Sequence, residues 1–259
     1  MKECTIHTNT DPYKYESDCR TDKLASIESK GRLLLFSQPL LAAEFLGTVV
    51  FAITGALAAT GKRIDIFGVM VLAVVTAVGG GTIRDLTINN GPIFWLEETW
   101  YISTALIAGL VTFILARYLR YPRRLLLIFD AAGISLFAII GAQKAQMADL
   151  SPLLVVMMAC ITAVAGGLIR DVLTNENPMI LGGGDGELYA TCTILGAMVF
   201  VLGEGYVDPI LLSYLAMLVI FLTRLAAIFG NLRLPKFIDA GHRLESHEEA
   251  RNPSKDSDQ

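Results

Sequence analysis

The chain has 259 residues, of which 53% are hydrophobic and 18% charged, with a formal net charge of −4. Soluble domains carry about 25% charged residues, and a weakly acidic chain lacks the basic surface that a nucleic-acid partner requires. Four cysteines with no CxxC or Cys/His spacing, three histidines confined to the ends (His7, His242, His247), and no Ser-His-Asp, HExxH or paired-carboxylate pattern argue against a disulfide framework, a metal site and an enzyme.

Residues 1–31 are polar, without apolar periodicity, and read as a tail. Beyond them the chain is apolar in long runs. Segments 66–83, 99–116 and 150–169 carry no charge over 18, 18 and 20 residues. About 18 such residues span the hydrocarbon core as helix. The expected fold is an all-α membrane protein with seven transmembrane helices. The spans are placed at about 33 or 39 to 60, then 66–89, 99–117, 125–144, 152–173, 188–202 and 209–229. Residues 233–259 form a second polar tail.

The chain contains a copy of itself. Val78-Gly79-Gly80-Gly81-Thr82-Ile83-Arg84-Asp85 returns as Val164-Ala165-Gly166-Gly167-Leu168-Ile169-Arg170-Asp171. The offset of 86 residues also relates Glu44 to Asp130, Gly47 to Gly133, Phe51 to Phe137, Gly55 to Gly141, Thr76 to Thr162 and Pro92 to Pro178. A constant offset marks a duplication. It divides the chain into repeat 1 (32–120, spans one to three), repeat 2 (121–207, spans four to six) and a seventh span at 208–232. Three spans per repeat is odd, so the second copy enters the membrane from the opposite side. Inverted pairs of this kind recur in transport proteins. Lys62, Arg63, Arg117, Arg120, Arg123, Arg124, Arg233 and Lys236 then share one side. The positive-inside rule makes that side cytoplasmic and leaves the N-terminus outside.

The glycine block ends in charge, and several readings compete there. A glycine costs a helix roughly 1 kcal/mol relative to alanine. Gly79, Gly80 and Gly81, and Ala165, Gly166 and Gly167, are therefore expected to admit a bend whose freed backbone faces a watery passage. The alternative is that they permit close helix packing. Arg84 and Arg170 follow the glycine face at helical spacing. Asp85 and Asp171 point about 100° away, so each charge is expected to find its partner on another helix. Snorkelling of both arginines to the interface is the alternative. Glu44 and Asp130 read either as first-turn acids on a helix dipole or as a cation site at a passage mouth. Thr76 and Thr162 either offer hydroxyls to ions or bond back to their own helix. Lys144 closes span four at the interface. Arg224, inside span seven, requires a partner or a lipid headgroup. Gly182–Gly186 lacks the Lys-Ser/Thr of a phosphate loop and reads as a flexible connection.

These residues resemble the prokaryotic TRIC (trimeric intracellular cation) channel family. The resemblance rests on the two GGGxxRD-like blocks, on Phe51-Ala52-Ile53-Thr54-Gly55-Ala56-Leu57 and on Ile140-Gly141-Ala142-Gln143-Lys144-Ala145. It covers about residues 40–232. It implies a homotrimer in the prokaryotic inner membrane with lipids around it. It implies a separate pore in each protomer, conducting potassium and other monovalent cations without a cofactor. Spans two and five would be kinked at the glycines and line that pore. Ala165 departs from the first glycine of the second block and would stiffen that bend. The glycine-rich run at 182–186 stands where relatives have a shorter basic connection. Members of the same group have also been described as carriers of small solutes such as glycine.

Overall fold

The structure, a computed structural model, describes residues 41–89, 91–118, 123–181 and 188–230. The expectations for both tails, for the start of span one, for Arg120, Arg233 and Lys236, and for Gly182–Gly186 fall outside these residues. The helices are α1 (Leu41–Ala58), α2 (Ile66–Ile88), the short α3 (Phe94–Glu97), α4 (Trp100–Tyr118), α5 (Arg123–Met147), α6 (Pro152–Leu173), α7 (Ala190–Leu202) and α8 (Pro209–Gly230). A 3-10 turn covers Met179–Leu181. Six helices are long and apolar enough to cross a bilayer, and α7 is the shorter apolar one. At ~1.5 Å per residue its 13 residues reach roughly two-thirds of a ~30 Å hydrocarbon core.

Local chemistry sets the ends. Asp65 caps α2, its carboxylate accepting from the Gly68 amide at 2.8 Å. Pro152 opens α6 where its missing amide costs nothing. Asn89 and Asn175, equivalent under the repeat, both turn into the left-handed region after α2 and α6, with φ of 51° and 54°.

The exterior is apolar, and the mostly apolar interior also buries charge. Phe67 and Leu153 are 74% and 70% exposed, while the largest fully buried side chains are Arg84, Arg170 and Arg224. An apolar exterior with ion pairs enclosed in the core suits a lipid surrounding.

The two repeats meet on a pseudo-two-fold axis. Phe51 of α1 stacks on Phe137 of α5, centroids 5.2 Å apart and planes 9° from parallel. Below that stack α2 and α6 cross in opposite directions. A Cβ on Gly80 would overlap the Thr162 carbonyl oxygen, and one on Gly166 would overlap the Thr76 carbonyl oxygen. The glycines therefore bring two main chains together. The helical pattern runs through both blocks without a break. Close packing of two main chains describes Gly80 and Gly166. Gly79 faces the end of Ile169, and its counterpart Ala165 is buried as well.

Candidate functional site: paired arginine clusters at the helix crossing

Each repeat builds one cluster where its glycine helix ends. In repeat 1, Arg84 on α2 is 1% exposed and donates from Nε to Asp85 Oδ1 at 2.7 Å. Asp85 Oδ2 accepts the Phe94 amide at 3.0 Å. This bond fastens the short α3 over the end of α2. Gly81 leaves room for the Phe94 ring, whose face lies 5.5 Å from the Arg84 guanidinium and 5.6 Å from the Lys144 ammonium. Lys144 Nζ lies 3.2 Å from Glu44 Oε1, and the Tyr101 hydroxyl donates to Glu44 Oε2.

Repeat 2 repeats the plan. Arg170 on α6 is fully buried and donates to Asp171 Oδ1 at 2.9 Å and to Asp130 Oδ1 at 2.8 Å. Asp171 Oδ2 accepts the Met179 amide at 3.0 Å, so the 3-10 turn takes the place of α3. Tyr189, next to α7, is buried beside Gly167, Asp130 and Arg170.

The geometry decides between the competing readings. Both arginines pair with the aspartate that comes next in the chain. The guanidinium is long enough to wrap across the ~100° between adjacent helix positions, and burial leaves it no water to prefer. Arg170 also forms an ion pair with another helix, through Asp130 of α5, whereas Arg84 meets the Phe94 ring of α3. Neither arginine snorkels. Asp130 sits two turns inside α5, which begins at Arg123, so it is not a first-turn acid. Thr76 and Thr162 bond back to Leu72 O and Met158 O, each at 2.6 Å, and are fully buried at the crossing.

Two recesses open at opposite ends of this antiparallel crossing. One, of about 300 Å³, is lined by Asp85, Phe94, Glu97 and Lys144. The other, of about 260 Å³, is lined by Ala58, Lys62, Arg123, Asp171, Glu176 and Met179. Asp85 matches Asp171, and Lys144 matches Ala58, at the same 86-residue offset. Of the pore and gating candidates read from sequence, Asp85, Lys144 and Asp171 line these recesses, beside Pro92 in the first and Lys62 and Arg123 in the second. Glu44, Arg84, Asp130 and Arg170 lie buried, and the glycine blocks, Ala165 and the two threonines lie at or beside the crossing. Across the second recess Lys62 donates to the Thr174 carbonyl and, at 2.7 Å, to Glu176. That hydrogen bond, and then the ammonium charge, hold the Glu176 carboxyl below the usual carboxylate range. Arg224 donates to Leu188 O at 3.1 Å and covers the Tyr189 ring at 4.8 Å, so its partners are protein groups. Among the described residues no group of three His, Cys, Asp or Glu converges on a metal position.

Sequence reasoning missed Tyr101, Tyr189, Phe94 and Met179. The tyrosines are 88 residues apart, so the fixed offset passes over them. Pro92 and Pro178 were the available signal, because they lie two residues and one residue before the amides that lock the clusters.

Comparison with known proteins agrees with this fold and its two repeats. A family model described as Glycine transporter matches residues 41–117 and 127–204, once for each repeat. The inner membrane protein YadS of Escherichia coli K12 is 45% identical over 198 residues, 75% of this chain and 94% of YadS. A Vibrio cholerae membrane protein is 41% identical over 200 residues, 75% of this chain and 81% of its own. Among solved structures, a TRIC trimeric intracellular cation channel orthologue from Rhodobacter sphaeroides is 37% identical with a TM-score of 0.71, covering 76% of this chain and all of its own. A second TRIC cation channel, also 37% identical, superposes with a TM-score of 0.69 over 77% of this chain and 98% of its own. With seven apolar helices, two repeat halves and this match along most of its described length, the chain belongs to the prokaryotic TRIC family of membrane cation channels, which are not enzymes.

Proposed function

We propose that the chain conducts monovalent cations, potassium among them, along a path inside each subunit of a homotrimer. The path runs between the two recesses and past the α2–α6 crossing, which is closed when the main chains touch. The observation that supports this best is the pair of recesses, equivalent under the inverted repeat, each ending at a buried arginine–aspartate cluster. Arg84 and Arg170 hold the closed form, and Gly79–Gly81 and Ala165–Gly167 set how closely the two helices meet. Glu44 and Asp130 supply the negative potential that favours cations over anions. The protein lies in the inner membrane, the location that its relative YadS carries in its name. Its N-terminus is outside, and Lys62 and Arg123 mark the cytoplasmic recess.

A second reading is carriage of a small solute such as glycine, favoured by the description of the family model. Planar-bilayer recording of the purified protein under a potassium gradient separates the two. Conduction predicts unitary currents that reverse near the potassium equilibrium potential. Saturable glycine flux without unitary current would overturn it.

A further inference from the structure

The two clusters are built on one plan but differ in how their acids are satisfied. In repeat 1 both Glu44 oxygens are occupied, one by the Lys144 ammonium and one by the Tyr101 hydroxyl. Lys144 lines its recess and reaches inward from there. In repeat 2 the equivalent position is Ala58, which also lines its recess but carries no charge. Asp130 gives Oδ1 to Arg170, while its Oδ2 has no partner among the described residues. The hydroxyl of Tyr189 has none either. Both side chains are buried, Asp130 completely and Tyr189 to within 4%.

A buried carboxylate oxygen and a buried phenol without protein partners are each unfavourable, and two carboxylates share one guanidinium here. Arg224 sits over the Tyr189 ring and bonds to Leu188 O, so it steadies that ring. Gly167 is what admits the hydroxyl, since a Cβ there would stand 2.9 Å from it and 3.4 Å from Asp130 Oδ1.

We propose that repeat 2 binds a free monovalent cation, potassium or sodium, where repeat 1 holds the ammonium of Lys144. Asp130 Oδ2 and the Tyr189 hydroxyl are its protein ligands, and water from the recess beside Ala58 completes its shell. The site rests on the conduction reading only in requiring cations to reach that recess. A divalent ion is a poor fit. Both oxygens of Asp171 are already taken by Arg170 and the Met179 amide, leaving one carboxylate oxygen where hard divalent ions collect six or more oxygen donors.

The test is thermal unfolding of the purified full chain in potassium, sodium or thallium chloride, against N-methylglucamine chloride at equal ionic strength. Thallium-soaked crystals of the same protein are read for anomalous scattering. Wild type is expected to show a saturable, cation-specific rise in midpoint and a thallium peak between Asp130 and Tyr189. Tyr189→Phe removes a hydroxyl without a protein partner, so as a packing change it is neutral or stabilising. At this site it is expected to raise the cation concentration for half-effect about tenfold. Ala58→Lys supplies a tethered ammonium and is expected to abolish the cation dependence. Equal midpoints in potassium and N-methylglucamine for wild type, or an unchanged half-effect in Tyr189→Phe, overturns the site even if Ala58→Lys does not fold. Neither readout requires current. Conduction without specific stabilisation removes this site alone, and specific stabilisation without unitary current removes the conduction reading alone.

Discussion

Replacing Gly80 by alanine separates two accounts of the glycine block by sign. If glycine serves to soften α2, alanine should stabilise the helix by about 1 kcal/mol. In the structure the new Cβ would fall 3.2 Å from the Thr162 carbonyl carbon and 3.5 Å from the Gly166 nitrogen, and would overlap the Thr162 oxygen outright. These are main-chain atoms of a facing helix, so no side chain can rotate away. Overpacking costs about 1–3 kcal/mol, here at the upper end of about 2–3 because only main chain can yield, and the propensity gain of about 1 kcal/mol offsets part of it. A net loss of about 1–2 kcal/mol lowers the unfolding midpoint by roughly 2–8 °C for a chain of this size. Gly166→Ala meets the Thr76 carbonyl and should behave alike. Gly79→Ala meets the tip of Ile169 at 3.0 Å and the Gly166 Cα at an ordinary 3.9 Å, and the chain already carries alanine at the equivalent Ala165, so it should be near neutral. The assay is thermal unfolding of the three variants in one detergent, monitored by tryptophan fluorescence. A Gly80→Ala protein as stable as wild type, or more so, would refute the close-crossing argument.

Arg170→Ala strands two buried carboxylates, and breaking such a network costs about 3–5 kcal/mol. Arg84→Ala strands Asp85, whose side chain is 12% exposed at a recess, so its loss of stability should be smaller by the same unfolding measurement. Arg84→Ala is expected to change the open probability in bilayer recordings, and unchanged currents would remove Arg84 from the gate. Lys144→Met leaves Glu44 with Tyr101 alone, and should alter unitary conductance at the recess that Lys144 lines. Between Lys62 and Glu176 the sign is set by a depressed carboxyl. Their bond is intact above the ordinary glutamate value and is lost as pH falls through the lower folded one. Wild type should therefore exceed Glu176→Gln in stability at pH 7, and the difference should fade below about pH 4. Both groups are partly exposed, so the effect is small.

Much of the architecture could be read from spacing. The 86-residue offset located both halves, and uncharged runs located the helices, because a bilayer dictates length and composition directly. α5 extends from Arg123 to Met147, past both expected ends, since polar residues at a helix end still complete its hydrogen bonds. The clusters were harder. Adjacent Arg and Asp point apart on an ideal helix, yet the flexible arginine closes that angle once burial removes the competing water. The tyrosines escaped because the connection before α7 is two residues longer in register than its counterpart, which breaks the periodicity that exposed everything else.

The stacked Phe51 and Phe137, with the reciprocal Gly80–Thr162 and Gly166–Thr76 approaches, form a self-complementary contact. Each half offers the surface that it receives. Two unlinked polypeptides, inserted with opposite polarity, therefore possess everything needed to recognise one another. Severing the covalent connection between α4 and α5 should leave fragments that find each other in the same bilayer. The tether between the halves supplies proximity, and the join itself carries the specificity.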